Sequence, residues 1–275
     1  MEDFLVFELN DAAKNNNVSL KAGKYGHMLF LQKDLYVGRS LDLYGEFSEL
    51  ETDLFRQLVQ KGMSVVEVGA NIGAHTVSLA QMVGLTGKVY AYEPQRAIFH
   101  ILCANLAINS IYNVYAKQAG IGSESGFLNV PPLDYTAVNN FGGLALSENS
   151  PGETVQINKL DDEQINVAHF LKIDVEGMEE SVLNGASGLI SRNRPIIYLE
   201  NDRQDKSKSL ILKLQKLGYK AWWHTPELFN PNNFYKENKN VFPGIVSINL
   251  LCIPEERSVN LSGFKQVLNE NDWWS

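Results

Sequence analysis

The sequence is poor in cysteine and in long apolar runs, and both absences limit the kind of protein that it encodes. Only two cysteines occur among 275 residues. Cys103 and Cys252 stand far apart in apolar surroundings, HILCANL and NLLCIP, so we expect buried free thiols and neither a disulfide framework nor a metal site. No apolar run approaches the ~18 residues that a membrane span needs. The N-terminal MEDFLVFELN carries acids where a signal peptide carries Lys or Arg, which predicts a soluble, cytoplasmic protein.

Positive charge is also scarce. Lys and Arg number 24 against 32 Asp and Glu, which gives a formal net charge of −8. Binding to nucleic acid normally requires a basic face, so we expect no nucleic-acid partner. Internal repeats of ~20–50 residues are absent as well, which excludes solenoids and propellers.

What the sequence does contain is an alternation of strand-like and helix-like segments. Residues 61–257 give seven predicted strands, which are MSVVEVG, KVYAYEP, VYAKQAGIG, HFLKIDVEG, RPIIYLEN, YKAWWHT and VSINLLCIP. Helical patterns follow most of them. This alternation indicates an α/β fold with a mainly parallel seven-strand sheet and helices on both faces.

Three further segments flank or interrupt this domain. Residues 1–60 form a predicted N-terminal extension, with a hairpin in 26–39 and a helix in SELETDLFRQLV that Ser48 could cap. Residues 123–160 break the alternation, and their short pieces FLNV, LAL and VQI predict small strands or loops inserted between strands three and four. Residues 258–275 are a predicted tail. Because ligands bind beyond the carboxyl ends of parallel strands, we expect the insertion to wall that site.

The segment EVGANIGAHT (67–76) places Gly69, Asn71 and Gly73 in a turn between a strand and a helix. Glycine permits positive φ and close approach of a ligand, and the helix start offers free N–H groups. The turn departs from the dinucleotide fingerprint, which has glycines where this chain has Asn71 and Ala74. On its own it also fits an ordinary strand-to-helix connection.

Two acids give this turn a more specific meaning. Glu67 would repel a pyrophosphate but attract an ammonium group, which disfavours a nicotinamide-dependent oxidoreductase. Glu93 ends the second strand, where an acid accepts hydrogen bonds from both hydroxyls of a ribose. A ligand with a ribose and an ammonium is S-adenosylmethionine (SAM), the predicted cofactor. The predicted cofactor contacts are Glu67, Gly69, Asn71, Gly73, His75, Glu93, Ala119, Gly120 and Asp174.

Six segments together carry a family resemblance: VVEVGANIGAHT, VYAYEPQ, NFGG, INKLDD, LKIDVEGMEESVLNGA and RPIIYLEN. They resemble the FkbM family of SAM-dependent methyltransferases, over roughly residues 20–255. The resemblance implies a Rossmann-like class I methyltransferase fold and an O-methyltransferase. Its acceptor would be a hydroxyl of a sugar, a glycan or a polyketide-type metabolite. The alternative is a catalytically silent module that keeps the fold and the cofactor turn.

The acid cluster in LKIDVEGMEE holds the candidate catalytic residues. Methyl transfer to oxygen requires an aligned hydroxyl and a group that takes its proton. Asp174 ends the fourth strand on the ligand side and is the first candidate, with Glu176 beside it. Glu180 is expected to be a helix-start charge, since acids there are favoured by the helix dipole. For Glu179 the sequence leaves open whether it belongs to the site or is a second helix-start charge.

The same cluster offers an alternative that uses a metal. Asp174, Glu200 and Asn201 follow two adjacent predicted strands and could converge as oxygen ligands of Mg²⁺ or another divalent cation. The set resembles that of Mg²⁺-dependent small-molecule O-methyltransferases, although Glu replaces one Asp. The sequence leaves open whether Asp174 takes a proton or holds a metal.

Two further groups of candidates come from the later strands and from the insertion. His224 follows the sixth strand and is a possible base, although a structural role beside the tryptophans is the simpler expectation. Candidates for the substrate wall are Tyr135, Asn139, Asn140 and Phe141.

Overall fold

The computed structural model describes residues 17–147, 151–259 and 261–275, and the first 16 residues of the predicted extension lie outside these ranges. The strands are β1 (Val18–Gly23), β2 (Gly26–Leu31), β3 (Ser64–Val68), β4 (Lys88–Tyr92), β5 (Val114–Lys117), β6 (Gly120–Ile121), β7 (Gly126–Val130), β8 (Glu153–Asn158), β9 (Phe170–Ile173), β10 (Ile196–Glu200), β11 (Tyr219–His224), β12 (Asn249–Pro254) and β13 (Lys265–Gln266). The helices are α1 (Val37–Tyr44), α2 (Glu49–Leu58), α3 (Ala74–Val83), α4 (Arg96–Ile108), α5 (Glu179–Gly185), α6 (Ser187–Asn193) and α7 (Gln204–Lys216).

The main sheet confirms the predicted α/β architecture in part. Its strand order is β13-β11-β12-β10-β9-β3-β4-β5. The strands from β10 to β5 pair in parallel, whereas β12 runs antiparallel to β10 and β11. All seven predicted strands are present, but the sheet is mixed and has an eighth strand. The correction comes from the tail, where Lys265–Gln266 pairs with Trp222 and Trp223 of β11.

Apolar side chains cover both faces of this sheet. Helices α5 and α7 pack on one face, where Val68, Leu171 and Leu199 are fully buried. On the other face Phe55 of α2 and Leu79 of α3 pack with strand residues in a second cluster. Burial of an apolar side chain contributes about 1.5–3 kcal/mol. Because both faces are covered, polar residues in the central strands stand out as candidates for function.

The N-terminal segment corrects the position of the predicted hairpin. The hairpin joins β1 to β2, with Val18 opposite Leu31, and residues 37–44 form helix α1. The sequence pattern missed β1 because most of its side chains are exposed. Helix α2 is confirmed. Ser48 precedes it in a left-handed conformation, and its hydroxyl donates to the Glu51 carboxylate at 2.7 Å and makes no cap to the backbone.

The insertion forms a second, three-stranded sheet in the order β6-β8-β7. The predicted third strand is split, because β5 joins the main sheet while β6 pairs with β8. The pieces FLNV and VQI lie in β7 and β8, as predicted, whereas the LAL piece, residues 144–146, forms no strand. Residues 131–147 follow β7 and form the first part of the connection to β8, and they are called the strap below.

Two smaller findings complete the fold. Cys252 is buried in β12, but Cys103 is exposed, so half of the cysteine prediction is wrong. The error arose because apolar neighbours in sequence do not fix which face of α4 points outward, and Leu102 takes the buried position instead. Within the described residues, no helix combines the length and the apolar character needed to cross a membrane.

Candidate active site

A cleft of about 410 Å³ opens at the carboxyl end of the parallel strands. The strand register explains why polar side chains lie side by side in this cleft. Glu67 is the paired neighbour of Lys172, and Glu200 is the paired neighbour of Asn249 on the same sheet. The cleft is lined by Tyr36, Val37, Phe47, Glu51, Glu67, Gly69, Ala70, Asn71, Ala74, His75, Glu93, Asn140, Gly142, Gly143, Lys172, Asp174, Glu176, Glu200, Asp202, Leu228 and residues 245–249. Polar groups from neighbouring strands therefore meet at one edge, as the sequence predicted.

The glycine turn after β3 shapes the floor of this cleft. Gly69 has φ of 84°, and a Cβ there would lie 1.7 Å from the Asp174 carbonyl oxygen. Asn71 also takes a left-handed conformation, with φ of 49°, and its side-chain oxygen accepts from the Ile72 N–H. Gly73 precedes helix α3 with φ of 88°. Positive φ at these positions explains why glycine and asparagine occupy them.

Glu93 is held in place by two backbone N–H groups, one in the glycine turn and one just after Glu93 itself. Its two oxygens accept hydrogen bonds from the N–H groups of Asn71 and Gln95, at 2.9 and 2.8 Å. Burial raises the pKa of this carboxyl to about 7, although these hydrogen bonds oppose the shift. Each carboxylate oxygen keeps acceptor capacity that a ligand hydroxyl can use.

Glu67 lies deeper in the cleft and is 1% exposed. One oxygen accepts from the Thr76 hydroxyl at 2.7 Å, while Oε1 is buried and has no hydrogen-bond partner among the residues that the structure describes. Burial raises its pKa to about 7, and the ammonium of Lys172 opposes that rise. An unpaired buried carboxylate oxygen is costly unless a ligand supplies a donor.

A smaller pocket of about 50 Å³ adjoins the cleft and shares Gly69, Glu93 and Asp174 with it. Ala119 and Gly120, two of the predicted cofactor contacts, line it. Its other residues are mostly apolar, among them Ile121, Leu144, Leu146, Val175 and Met178. Gln95 also lines it, and within the described part of the chain the buried Oε1 of Gln95 has no hydrogen-bond partner. The pocket thus has apolar walls and a spare acceptor, which suits a flat heterocycle with an amino group.

The predicted catalytic acids lie together. Carboxylate oxygens of Asp174, Glu176 and Glu200 fall within 4.8 Å of one another. Asp174 accepts from Lys172 Nζ at 3.0 Å, and Glu176 accepts from Arg203 at 3.0 Å. Burial and the charge of Asp174 raise the pKa of Glu176 to about 7 and that of Glu200 well above its usual range. Like charges at this separation favour sharing of protons.

The turn after Asp174 gives Glu179 and Glu180 different roles. Glu176 takes φ of 56°, an unfavourable conformation for a residue with a side chain. Glu179 stabilises this turn, since its Oε1 accepts from the Gly177 N–H at 2.9 Å. Glu180 lies in the first turn of α5, as expected for a helix-start charge. Glu179 therefore supports the site and does not line the cleft.

Three predicted residues take positions that differ from the expected contacts. Asn201 is buried outside the cleft lining, and its amide donates to the Ser207 hydroxyl at 2.9 Å. His75 lines the cleft, but it packs against Phe47 and Phe55, and burial holds its pKa well below the usual range. His224 bonds the Tyr198 hydroxyl at 2.8 Å, and burial lowers its pKa to about 4.

The strap supplies only part of the predicted wall. Asn140 lines the cleft, whereas Phe141 is fully buried beneath it and stacks on Tyr135 with ring centroids 5.2 Å apart. Asn139 pairs with residues 33–35 through backbone hydrogen bonds. The strap is thereby tied to the N-terminal segment.

Several lining residues were missed from the sequence. The N-terminal segment contributes Tyr36, Phe47 and Glu51, and the chain entering β12 contributes residues 245–248 and Asn249, the first residue of that strand. Their positions depend on tertiary packing, so no local pattern indicated them. Lys172 is different, because its spacing of two residues from Asp174, which directly follows β9, places both side chains on the same side of the extended chain and so gave a usable signal.

A comparison with protein families decides the classification. The family described as "Methyltransferase FkbM domain" matches residues 67–221, which is more than half of the chain. The chain belongs to the FkbM methyltransferase family. This confirms the predicted family, and the glycine turn, Glu93 and Asp174 all lie within the matched FkbM region.

Solved structures give the FkbM chain several distant likenesses. A methyltransferase FkbM from Methylobacillus flagellatus is 16% identical, with a TM-score of 0.45, over 74% of this chain and 50% of that one. A SAM-dependent O-methyltransferase from Thermotoga maritima is 14% identical, with a TM-score of 0.47, over 77% and 67% of the two chains. An rRNA methylase from Streptococcus thermophilus is 13% identical, with a TM-score of 0.45, over 74% and 94%. No curated protein matches the chain.

Proposed function

We propose that this FkbM protein is a SAM-dependent O-methyltransferase that methylates a hydroxyl of a sugar, a glycan or a polyketide-type metabolite. The observation that carries the proposal is the arrangement of three spare acceptors, two along the cleft and one in the smaller pocket that adjoins it. They are the Glu93 carboxylate, the partnerless Oε1 of Glu67 and the partnerless Oε1 of Gln95. A ribose diol, an ammonium and an adenine amino group match them in type.

The residues that would hold SAM follow from this match. Glu93 would accept hydrogen bonds from the ribose hydroxyls, and Glu67 would face the ammonium. Ala119, Gly120 and Gln95 line the adenine pocket. When bound, SAM supplies an electrophilic methyl group. The same acids disfavour a nicotinamide cofactor, because a buried carboxylate at Glu67 repels a pyrophosphate.

The acceptor end of the cleft is built for removal of a proton. Asp174 has a side chain that is 45% exposed, and one of its oxygens is fixed by Lys172. In the proposal its other oxygen takes the proton of the acceptor hydroxyl, while Glu176 accepts a hydrogen bond that orients the substrate. Intact acids at these positions favour an enzyme over a catalytically silent module.

The acid cluster is also the donor set that a divalent cation would use. Oxygen ligands from Asp174, Glu176 and Glu200 suit Mg²⁺ in type. Lys172 and Arg203, however, already place positive charge against two of these three carboxylates. The proposal therefore assigns the cluster to proton transfer and to acceptor binding.

Two measurements test the proposal in sequence. Calorimetry with S-adenosylhomocysteine (SAH) should show saturable binding to the purified chain, and titration with NAD should show none. Transfer of a labelled methyl group from SAM should then be detected with a panel of glycans, and Asp174→Asn should lower the rate at least about 100-fold, as expected for loss of a general base. Binding of NAD in place of SAH would overturn the proposal, and SAH binding without transfer to any hydroxyl compound would favour the silent module.

A further inference from the structure

Lys172 is a buried lysine at the centre of the cleft floor. Its residue is 2% exposed, and its Nζ donates to Asp174 Oδ2 at 3.0 Å. In the sheet it lies between Glu67 on β3 and Tyr198 on β10, which are its paired neighbours. A lysine is rarely buried to this extent unless it is paired with acids.

Acids from three separate elements surround this ammonium. They are Glu67 of β3, Asp174 after β9 and Glu51 of α2, and although burial acts to lower the pKa of Lys172, these acids raise it. Glu51 is itself buried and accepts from the Ser48 hydroxyl. Lys172 thus remains a cation in the cleft.

Two titratable groups complete the surroundings. His75 of α3 is kept neutral, because burial and the charge of Lys172 both lower its pKa. Tyr198 of β10 is also neutral, since burial raises its pKa. The local balance is therefore one cation against three carboxyl groups, and burial raises the pKa of two of them, Glu67 and Glu51.

We propose that Lys172 is a positioning residue whose single buried charge supports both ends of the cleft, holding Glu67 ionised toward the cofactor ammonium and Asp174 aligned toward the acceptor. The inference rests on the proposed function and extends it, since neither the glycine turn nor the acid cluster supplies this charge. Removal of one partner from a buried ionic cluster leaves the remaining charges uncompensated. Without Lys172, the carboxyl of Glu67 would hold its proton at neutral pH and lose its attraction for an ammonium.

The experiment measures SAH affinity by calorimetry from about pH 6 to about pH 9. The variants are Lys172→Met, Lys172→Arg and, as a matched control, Lys117→Met, which removes an exposed lysine paired with Glu163. At pH 7 we expect Lys172→Met to weaken binding about tenfold or more, the factor that corresponds to one unit of pKa. The deficit should shrink as pH rises and Glu67 ionises, Lys172→Arg should restore part of the affinity, and the control should match the unmodified protein.

A double variant keeps the test decisive if Lys172→Met folds poorly. Glu67→Gln with Lys172→Met removes both members of the pair, so it avoids an unpaired charge at Glu67. If Lys172 acts through Glu67, this double variant binds SAH no more weakly than Glu67→Gln alone. Additive losses, or wild-type affinity of Lys172→Met at all pH values, would overturn the inference. Absence of SAH binding by the unmodified protein would instead overturn the proposed function.

Discussion

Substitution of Glu93 is the most direct test of the proposed cofactor site. Replacement by alanine removes a carboxylate that two backbone N–H groups already hold in place. Hydrogen bonds to a charged group contribute about 1.5–3 kcal/mol each, so loss of the two to a ribose predicts SAH binding weaker by about 100-fold or more. Calorimetry measures this directly. Glu153→Ala is the control, because Glu153 is an exposed acid paired with Arg96, and it should leave SAH affinity unchanged.

Glu200 allows a pH test of the acid cluster. Burial, and then the charge of Asp174, raise its pKa well above the usual range, and its Oε2 is buried without a partner. A carboxyl with a raised folded-state pKa stabilises the fold at low pH and loses that contribution as pH rises through the folded-state value. Glutamine does not titrate and is never charged, so Glu200→Gln should be more stable than the unmodified protein at pH 8, where folding must bury a charged carboxylate at position 200.

Urea unfolding of Glu200→Gln at several pH values measures the difference. The gain should vanish near pH 4, where both side chains are neutral. Glu255→Gln serves as the control, since Glu255 is exposed in a turn after β12. A gain that is the same at pH 4 and pH 8 would show that the effect does not arise from titration of Glu200.

Among the structural elements, the strap has the most direct influence on the site. Phe141 anchors it in the core, while Asn140, Gly142 and Gly143 line the cleft on either side of that anchor. Phe141→Ala removes a fully buried ring, a change that costs about 3–5 kcal/mol in a rigid core. We expect the strap to open locally, which reduces the loss of global stability. The free energy of SAH binding should therefore fall by more than the free energy of unfolding.

Hydrogen exchange gives the matching readout for the strap. The N–H groups of Leu35 and Asn139 bond across the junction between strap and N-terminal segment. In Phe141→Ala both should exchange faster, while amides of β9 keep their protection. Tyr135→Phe preserves the ring that stacks on Phe141 and is the control. Equal loss of protection in β9 would show global unfolding instead of strap opening.

The elements also show what could be predicted from sequence and what could not. Buried central strands such as β3 and β9 carry continuous apolar patterns, so the alternation with helices was readable. The two-residue strand β13 has exposed side chains, and its pairing with Trp222 and Trp223 alone defines it. Strand β1 is likewise mostly exposed. Elements of this kind depend on tertiary pairing, which periodicity does not record.

The residues of the site also divide into those that could be predicted from the sequence and those that could not. Glu67, Glu93 and Asp174 end or follow parallel strands, so topology alone brought them to one edge. Glu51 enters the cleft from α2, 123 positions before Asp174 in the chain, and only the packing of that helix places it there. Asn201 shows the reverse case, since a strand-end position did not direct its side chain into the cleft.

The molecule as a whole carries a net negative charge and has an acidic cleft, so the site requires compensating positive charge. The formal charge is −8, and most titratable residues that line the cleft are acids. Lys172 and Arg203 compensate two of them internally. The positive end of the proposed cofactor would contribute further compensation near Glu67. A cationic cofactor therefore suits this cleft better than an anionic one.

This charge balance also predicts how the enzyme responds to removal of divalent cations. Asp174 and Glu176 already have cationic partners at 3.0 Å, and the Asn201 amide is engaged with Ser207. A cation bound at the cluster would compete with Lys172 and Arg203 for the same oxygens. We therefore expect methyl transfer to a hydroxyl acceptor to be unchanged by EDTA and by later addition of Mg²⁺. Rates measured before chelation, after it and after Mg²⁺ is restored provide the check, with Arg203→Met as the matched variant. If chelation abolishes transfer and Mg²⁺ restores it, the acid cluster holds a metal, and Asp174 is a ligand in place of a base.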